Sequence, residues 1–251
     1  MIDVKDVFAG YGKEEILHGI SFRAEEGKIT TLIGSNGSGK STLLKALLGL
    51  IPLKDGDIMI DGMSIREVTR VEIARRIAYL PQGKNVPDIS AGRMTLHGRF
   101  PYLSYPRRYR KEDFRIAEEA MKQMDILELA DRQMAGLSGG MRQKVYLAMA
   151  LAQQAPSIVM DEPTTYLDIG QQLKFAQMIK NLSKSGKTIV LVLHDILLAL
   201  KISDCIVAVR DGKMIRCGTP EEILESDLME ELYGITVKAV QTETGMHYYY
   251  E

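Results

Sequence analysis

Hydrophobic positions along the 251-residue chain change period several times, and each change marks an element. Residues 2–8 and 20–24 alternate short apolar and polar runs, as antiparallel strands with one buried face do, and residues 58–60 before Asp61-Gly62 continue that region. Residues 29–33, 78–80, 158–160 and 189–193 are runs of apolar and β-branched residues, the pattern of largely parallel strands buried on both faces. Residues 83 to about 153 hold no convincing strand, and the spacing of Phe114, Ala117, Met121 and Met124 is helical. The pattern predicts an α/β fold with a small antiparallel region at its start and an inserted helical lobe.

Two later segments make finer predictions. Residues 207–215 read as a hairpin turning at Asp211-Gly212, which pairs Arg210 with Lys213 and therefore Ile206 with Cys217. Side chains alternate along a strand, so Cys205 and Cys217 are expected on opposite faces, with no disulfide between them. Free thiols suit a reducing compartment. Residues 237–251, with Thr244-Gly245 as a turn before His247-Tyr248-Tyr249-Tyr250, read as a terminal edge hairpin or an interaction patch.

The chemistry begins directly after residues 29–33. Gly34-Ser35-Asn36-Gly37-Ser38-Gly39-Lys40-Ser41-Thr42 fits G-x-x-x-x-G-K-[ST] between a strand and a helix predicted over residues 41–50, the context this phosphate-binding loop requires. Glycines let successive N–H groups curl toward a polyphosphate, and the helix start adds a favourable dipole. Lys40 is placed to reach the β- and γ-phosphates and the Ser41 hydroxyl to ligate Mg²⁺, so the chain is expected to bind a nucleoside triphosphate. The run 157–160 ends in Asp161-Glu162 at its carboxyl end, where ligands of open α/β sheets sit. Asp161 suits the Mg²⁺ shell, and Glu162 is placed to polarise an attacking water. Between these sites lies Leu137-Ser138-Gly139-Gly140-Met141-Arg142-Gln143, in which Ser138 is a natural N-cap and the paired glycines open the backbone to a ligand. That reads either as an ordinary capped helix or as a second anion-binding helix end.

Bulk properties narrow the partners. The 32 basic and 33 acidic residues nearly cancel, so no nucleic acid or other polyanion is indicated. Residues 1–6 carry acids where a signal peptide needs a basic start, and no stretch approaches 18 uninterrupted apolar residues. Work at a membrane is therefore expected to depend on docking to protein. Residues 99–111 mix aromatics, prolines and bases, and read as a solvated loop or as an interface.

Taken together, the glycine loop, Leu137-Ser138-Gly139-Gly140 and Asp161-Glu162 resemble the ATPase subunit of ATP-binding cassette (ABC) transporters over residues 4 to about 237. The resemblance implies a P-loop NTPase (RecA-like) core from residues 1–82 and 154–240, an antiparallel β-subdomain, an inserted α-helical subdomain at 83–153 and a tail at 241–251. It makes Tyr11 the aromatic that stacks on adenine, Gln82 the Q-loop residue that meets Mg²⁺ and relays phosphate state, Asp168 the D-loop acid and His194 the switch histidine. ATP would be held between residues 34–42 of one copy and Ser138, Gly139 and Gly140 of a second in a head-to-tail dimer. Met141 departs from the family, which more often has Gln or Glu there, and cannot offer comparable hydrogen bonds to a ribose. His18, His97 and His247 are expected to have no such role.

Residues 161–173 and Gly98-Arg99-Phe100-Pro101-Tyr102 are similar to the group importing iron-siderophore complexes, haem and vitamin B12. That implies an ATPase on the inner face of the cell membrane, bound to permease subunits and served indirectly by a substrate-binding protein. Competing readings are the ATPase of an exporter or of a free-metal importer, and a soluble ATPase of cofactor assembly. A DNA-maintenance enzyme would need a long coiled-coil insertion, which this length excludes.

Overall fold

The apolar and β-branched runs become the centre of the molecule because both of their faces are covered. In the computed structural model, which describes residues 1–82, 86–165, 167–243 and 245–251, the chain opens with β1 (Ile2–Ala9), β2 (Leu17–Ala24) and β3 (Ile29–Ile33). It continues through α1 (Lys40–Leu47), β4 (Leu53–Ile60), β5 (Met63–Ser64), α2 (Arg70–Arg76) and β6 (Ile77–Leu80). Among the described residues three α-helices follow, α3 (Ala91–Leu96), α4 (Lys111–Gln123) and α5 (Gly139–Ala152), with short 3₁₀ turns between them. Strands and helices alternate through β7 (Ser157–Asp161), α6 (Ile169–Lys184), β8 (Thr188–Val192), α7 (Ile196–Ile202) and β9 (Cys205–Arg210), and the chain then continues through β10 (Lys213–Gly218), α8 (Pro220–Leu224), α9 (Leu228–Tyr233), β11 (Val237–Thr242) and β12 (Gly245–Tyr250).

Among the described residues the main sheet has the order β10-β9-β3-β8-β7-β6, parallel except at β10. Alternation divides its side chains between two cores. Leu32, Val159, Val190, Val192, Val207 and Val209 join the core shared with α1 and the antiparallel sheet β2-β1-β4-β5. Ile33, Ile158, Met160, Ile189, Leu191 and Ala208 face the other way, into a core that takes in α5, α6 and α7. Because β3, β8, β7 and β6 are parallel neighbours, their carboxyl ends emerge along one edge, and the loops that follow them meet there.

Several expectations meet the structure at their edges. The helix predicted over 41–50 starts at Lys40 and stops at Leu47, because Gly49 takes the left-handed conformation (φ 62°). Its N–H and that of Leu50 then close on the carbonyls of Ala46 and Lys45, satisfying the helix end. From residue 86 to 153 the described chain is helical apart from loops and a single bridge between Ser90 and Gln133. The tail is a hairpin whose first strand runs across residue 241; Thr244 of its expected turn lies outside the described residues.

The cysteine prediction is wrong in its register. Arg210 does pair with Lys213, but a bulge between Met214 and Arg216 sets Cys217 opposite Val207 instead of Ile206. One extra residue reverses the facing of everything beyond it, so Cys205 and Cys217 share a face, with sulfurs 3.3 Å apart and both thiols free.

The basic-aromatic segment is likewise not wholly a solvated loop. Tyr105 is 96% exposed, but Arg99 is buried, pairs with Asp113 at 3.0 Å and donates to the carbonyl of Ala152 and to Gln154 Oε1, each at 2.9 Å. Its guanidinium lies 4.1 Å from the Tyr102 ring, whose hydroxyl donates to the Gln153 carbonyl at 2.9 Å. The segment thereby ties its start to α4 and to the end of α5.

Candidate functional site

The loop after β3 needs glycine at its first position. Gly34 has φ 146°, and a Cβ there would lie 2.1 Å from the Val209 carbonyl, so the backbone can turn only without a side chain. Folding the loop back buries Lys40, whose ammonium donates to the carbonyls of Gly34 and Ser35 at 2.8 and 2.7 Å, with the Ser38 hydroxyl at 3.3 Å. Burial pushes the Lys40 pKa down, and the nearby Glu162 and Asp161 oppose that shift.

Those two acids come from the end of β7. Asp161 is buried, and its Oδ1 accepts from the Ser41 hydroxyl at 3.4 Å. Desolvation raises its pKa, the Ser41 hydrogen bond lowers it, and the charge of Glu162 raises it further. Glu162 is the next residue and sits at φ 48°, a left-handed conformation that is strained for a side chain of this size.

Three groups converge on the Glu162 carboxylate, two of them from distant parts of the sequence. Gln82, just beyond β6, donates from Nε2 to Oε2 at 2.5 Å. His194, just beyond β8, places Nε2 2.6 Å from Oε1. Thr165 Oγ1 donates to Oε2 at 3.2 Å. Glu162 is mostly covered, whereas His194 remains 43% exposed. Lys40, Ser41, Asp161, Glu162, Gln82 and His194 thus form one cluster along the carboxyl edge of β3, β8, β7 and β6. Thr165 is the member the sequence analysis missed; a threonine three residues beyond the acid pair had no motif to single it out.

Beside the loop, Tyr11 is 43% exposed, and Lys45 of α1 donates to its hydroxyl at 3.0 Å with the ammonium 5.4 Å from the ring. A ring held in this way offers a face to a planar base. Lys45 was not anticipated either, since only the fold brings α1 against the β1–β2 connection.

The segment 138–140 lies apart. Ser138 caps α5 by accepting from the Met141 N–H at 3.3 Å, and no hydrogen bond or ion pair among the described residues joins residues 138–140 to residues 34–42. Asp168 caps α6 by accepting from the Gln171 N–H at 2.8 Å, and the Gln171 side chain packs against Gly140. Gln171 therefore couples the start of α5 to the start of α6. A 420 Å³ cleft separates Gly139, Arg142 and Tyr146 of α5 from Glu162 and Thr165. Met141 is 44% exposed and lines a separate groove with Gly140, Gln171 and Phe175. Tyr166 lies outside the described residues.

A family model described as ABC transporter matches residues 17–165, a stretch that holds the glycine loop, the start of α5 and the acid pair. The chain belongs to the ABC transporter family. Within that family, the ferric enterobactin transport ATP-binding protein FepC of Escherichia coli (strain K12) is 38% identical over 228 residues, covering 90% of this chain and 84% of its own. A chain of an inward-facing ABC transporter assigned to the metal-chelate type superposes with a TM-score of 0.85 at 25% identity, covering 100% of this chain and 97% of that one. The dimeric cassette MJ0796 superposes with a TM-score of 0.75 at 30% identity, covering 88% of this chain and 99% of that one. The ABC cassette fold makes the core a P-loop NTPase, and the chain is a nucleotide-binding ATPase of this family.

Proposed function

We propose that this ABC cassette hydrolyses ATP to drive uptake of a metal chelate through a membrane permease, working as a head-to-tail pair of chains. The observation that carries the ATPase mechanism is the convergence of Gln82, His194 and Thr165 on Glu162, one residue from Asp161 and across from Lys40. A carboxylate fixed from three sides is suited to orient a water for in-line attack, since phosphoryl transfer depends on positioning and electrostatics more than on covalent chemistry.

Each residue contributes a separate share. Lys40, now satisfied by loop carbonyls, can exchange those acceptors for phosphate oxygens while the N–H groups of residues 34–42 hold the remainder. Ser41 and Asp161 supply hard oxygen donors 3.4 Å apart, a set that fits Mg²⁺, and Gln82 keeps its carbonyl oxygen for the same purpose because its amide nitrogen is committed to Glu162. When bound, the cation offsets the charge of the phosphates. His194 holds Glu162 in register, and Tyr11 offers its ring to the base.

Ser138, Gly139 and Gly140 cap a helix start that makes no bond to its own glycine loop, which supports a role opposite the loop of a second chain, as does the dimeric relative. Asp168 would sit at that seam through Gln171. Nucleotide then acts as the bridge whose hydrolysis releases the pair, a two-state element biased by ligand.

The cargo is inferred from the ferric enterobactin relative and the metal-chelate type structure. Among the described residues no helix is long and apolar enough to cross a membrane, so the permease supplies the path and the cassette works from the inner face, with a substrate-binding protein as the indirect source of cargo. The test is to isolate the protein from native membranes, identify its companions and screen chelates for stimulation of ATP consumption. Recovery of a polytopic permease and stimulation by an iron chelate are expected. Recovery of soluble partners alone would replace this reading with a cofactor-assembly ATPase.

A further inference from the structure

The two cysteines of this chain lie twelve residues apart on the two strands of the β9–β10 hairpin, and the bulge at Ile215 alone brings them onto one face. Their environments differ. Cys205 is partly buried and packs against the core that holds Val207 and Val209, whereas Cys217 is exposed on the edge strand. With the sulfurs 3.3 Å apart, closure to the roughly 2.05 Å of a disulfide needs a movement of little more than an ångström. The hydrogen bond from the Cys205 thiol lowers Cys217 to about 7, against the opposing effects of burial and the Glu222 carboxylate. The same hydrogen bond, together with burial, raises Cys205. An accessible sulfur that ionises first, beside a sheltered one that stays protonated, is the division between an attacking and a resolving thiol.

We propose that Cys205 and Cys217 form a modification site that closes reversibly to an intramolecular disulfide on reaction with a low-molecular-weight disulfide. The Cys217 thiolate attacks one sulfur of the reagent, forming a mixed disulfide and releasing one small thiolate. Cys205 then loses its proton and attacks Cys217 Sγ, forming the intramolecular bond and expelling the second small thiol. Two protein thiols are oxidised and one small disulfide is reduced to two small thiols, so electrons and protons balance. The product staples the edge strand β10 to β9, which pairs with the strand leading into the nucleotide loop.

The test incubates the intact chain with oxidised glutathione across a range of thiol-to-disulfide ratios, blocks remaining thiols with an alkylating reagent and reads intact mass. The expected product is a monomer that has lost two hydrogen atoms, resists alkylation, returns to two alkylatable thiols with dithiothreitol and melts roughly 6–12 °C higher. Closure in the native chain should be roughly 100-fold more favourable than in the same chain in denaturant, by linkage to that stabilisation. Cys205→Ser should stop at a stable glutathione adduct on Cys217. A native closure constant no larger than the denatured one would overturn the proposal, as would a wild-type chain that stops at the adduct or joins only to other chains.

Discussion

Replacing Arg99 with Met should cost this protein more than any exposed charge change, and the reason lies in what the substitution leaves behind. Arg99 and Asp113 have side-chain exposures of 7% and 9%, so neither group is screened by water. Met fills much of the arginine stem but strands the Asp113 carboxylate, which keeps only the Arg110 N–H at 2.8 Å, and it leaves the Ala152 carbonyl and Gln154 Oε1 without their donor. Breaking one side of a buried pair costs about 3–5 kcal/mol, against about 0–1 kcal/mol for an exposed pair. For a chain of this size that corresponds to a fall in Tm of roughly 6–20 °C. Chemical denaturation of Arg99→Met, Asp113→Asn and the double variant measures it. The double variant should recover 1 kcal/mol or more relative to the sum of the singles, taking about that as the resolvable coupling, because no charge is left unpaired. A single-variant loss below about 1 kcal/mol, or strict additivity, would show that Arg99 is a surface arginine after all.

Other outcomes follow from the site. Ser138→Arg should abolish hydrolysis while one chain still binds ATP with unchanged affinity by calorimetry, and loss of the α5 cap should lower stability by about 1 kcal/mol; surviving hydrolysis would refute the role across the seam. Asp161→Asn should abolish Mg²⁺-dependent turnover yet leave the nucleotide-free protein at least as stable at neutral pH. Burial raises the Asp161 pKa above its ordinary 3.8, so its ionisation destabilises the fold as pH rises through that value, and the gain from Asn should shrink as pH falls toward 3.8. A melt showing Asp161→Asn less stable at pH 7 would contradict this. Tyr11→Ala should weaken ATP binding about 2- to 10-fold, the worth of one stacked ring, with little change in turnover at saturation; unchanged affinity would remove Tyr11 from the site.

Much of this arrangement was legible before any coordinates because its signals are local. The apolar runs at 29–33, 158–160 and 189–193 need two covered faces, and the loops at 34–42 and 161–162 carry their chemistry in adjacent residues. What was not legible depends on register or on contacts between distant segments. The bulge at Ile215 has no proline or glycine to announce it, yet it reverses the facing of Cys217. Arg99 reads as one base among several in a polar loop until Asp113 and the end of α5 are brought around it. Thr165 sits in the turn directly after Glu162, but no motif marks it, and only the fold shows its hydroxyl on that carboxylate. Gln82 is named through the family resemblance, while its bond to Glu162 depends on β6 and β7 being parallel neighbours.

The most direct test is the mass in solution of Glu162→Gln under saturating Mg-ATP. The substitution keeps the shape that Gln82, His194 and Thr165 grip but removes the charge that orients water, and loss of a catalytic base typically slows turnover by about 10²–10⁴. Scattering should report a long-lived species of twice the chain's mass that dissociates when nucleotide is withdrawn. Solitary chains at every nucleotide concentration, even beside the permease, or turnover at the wild-type rate, would contradict the account.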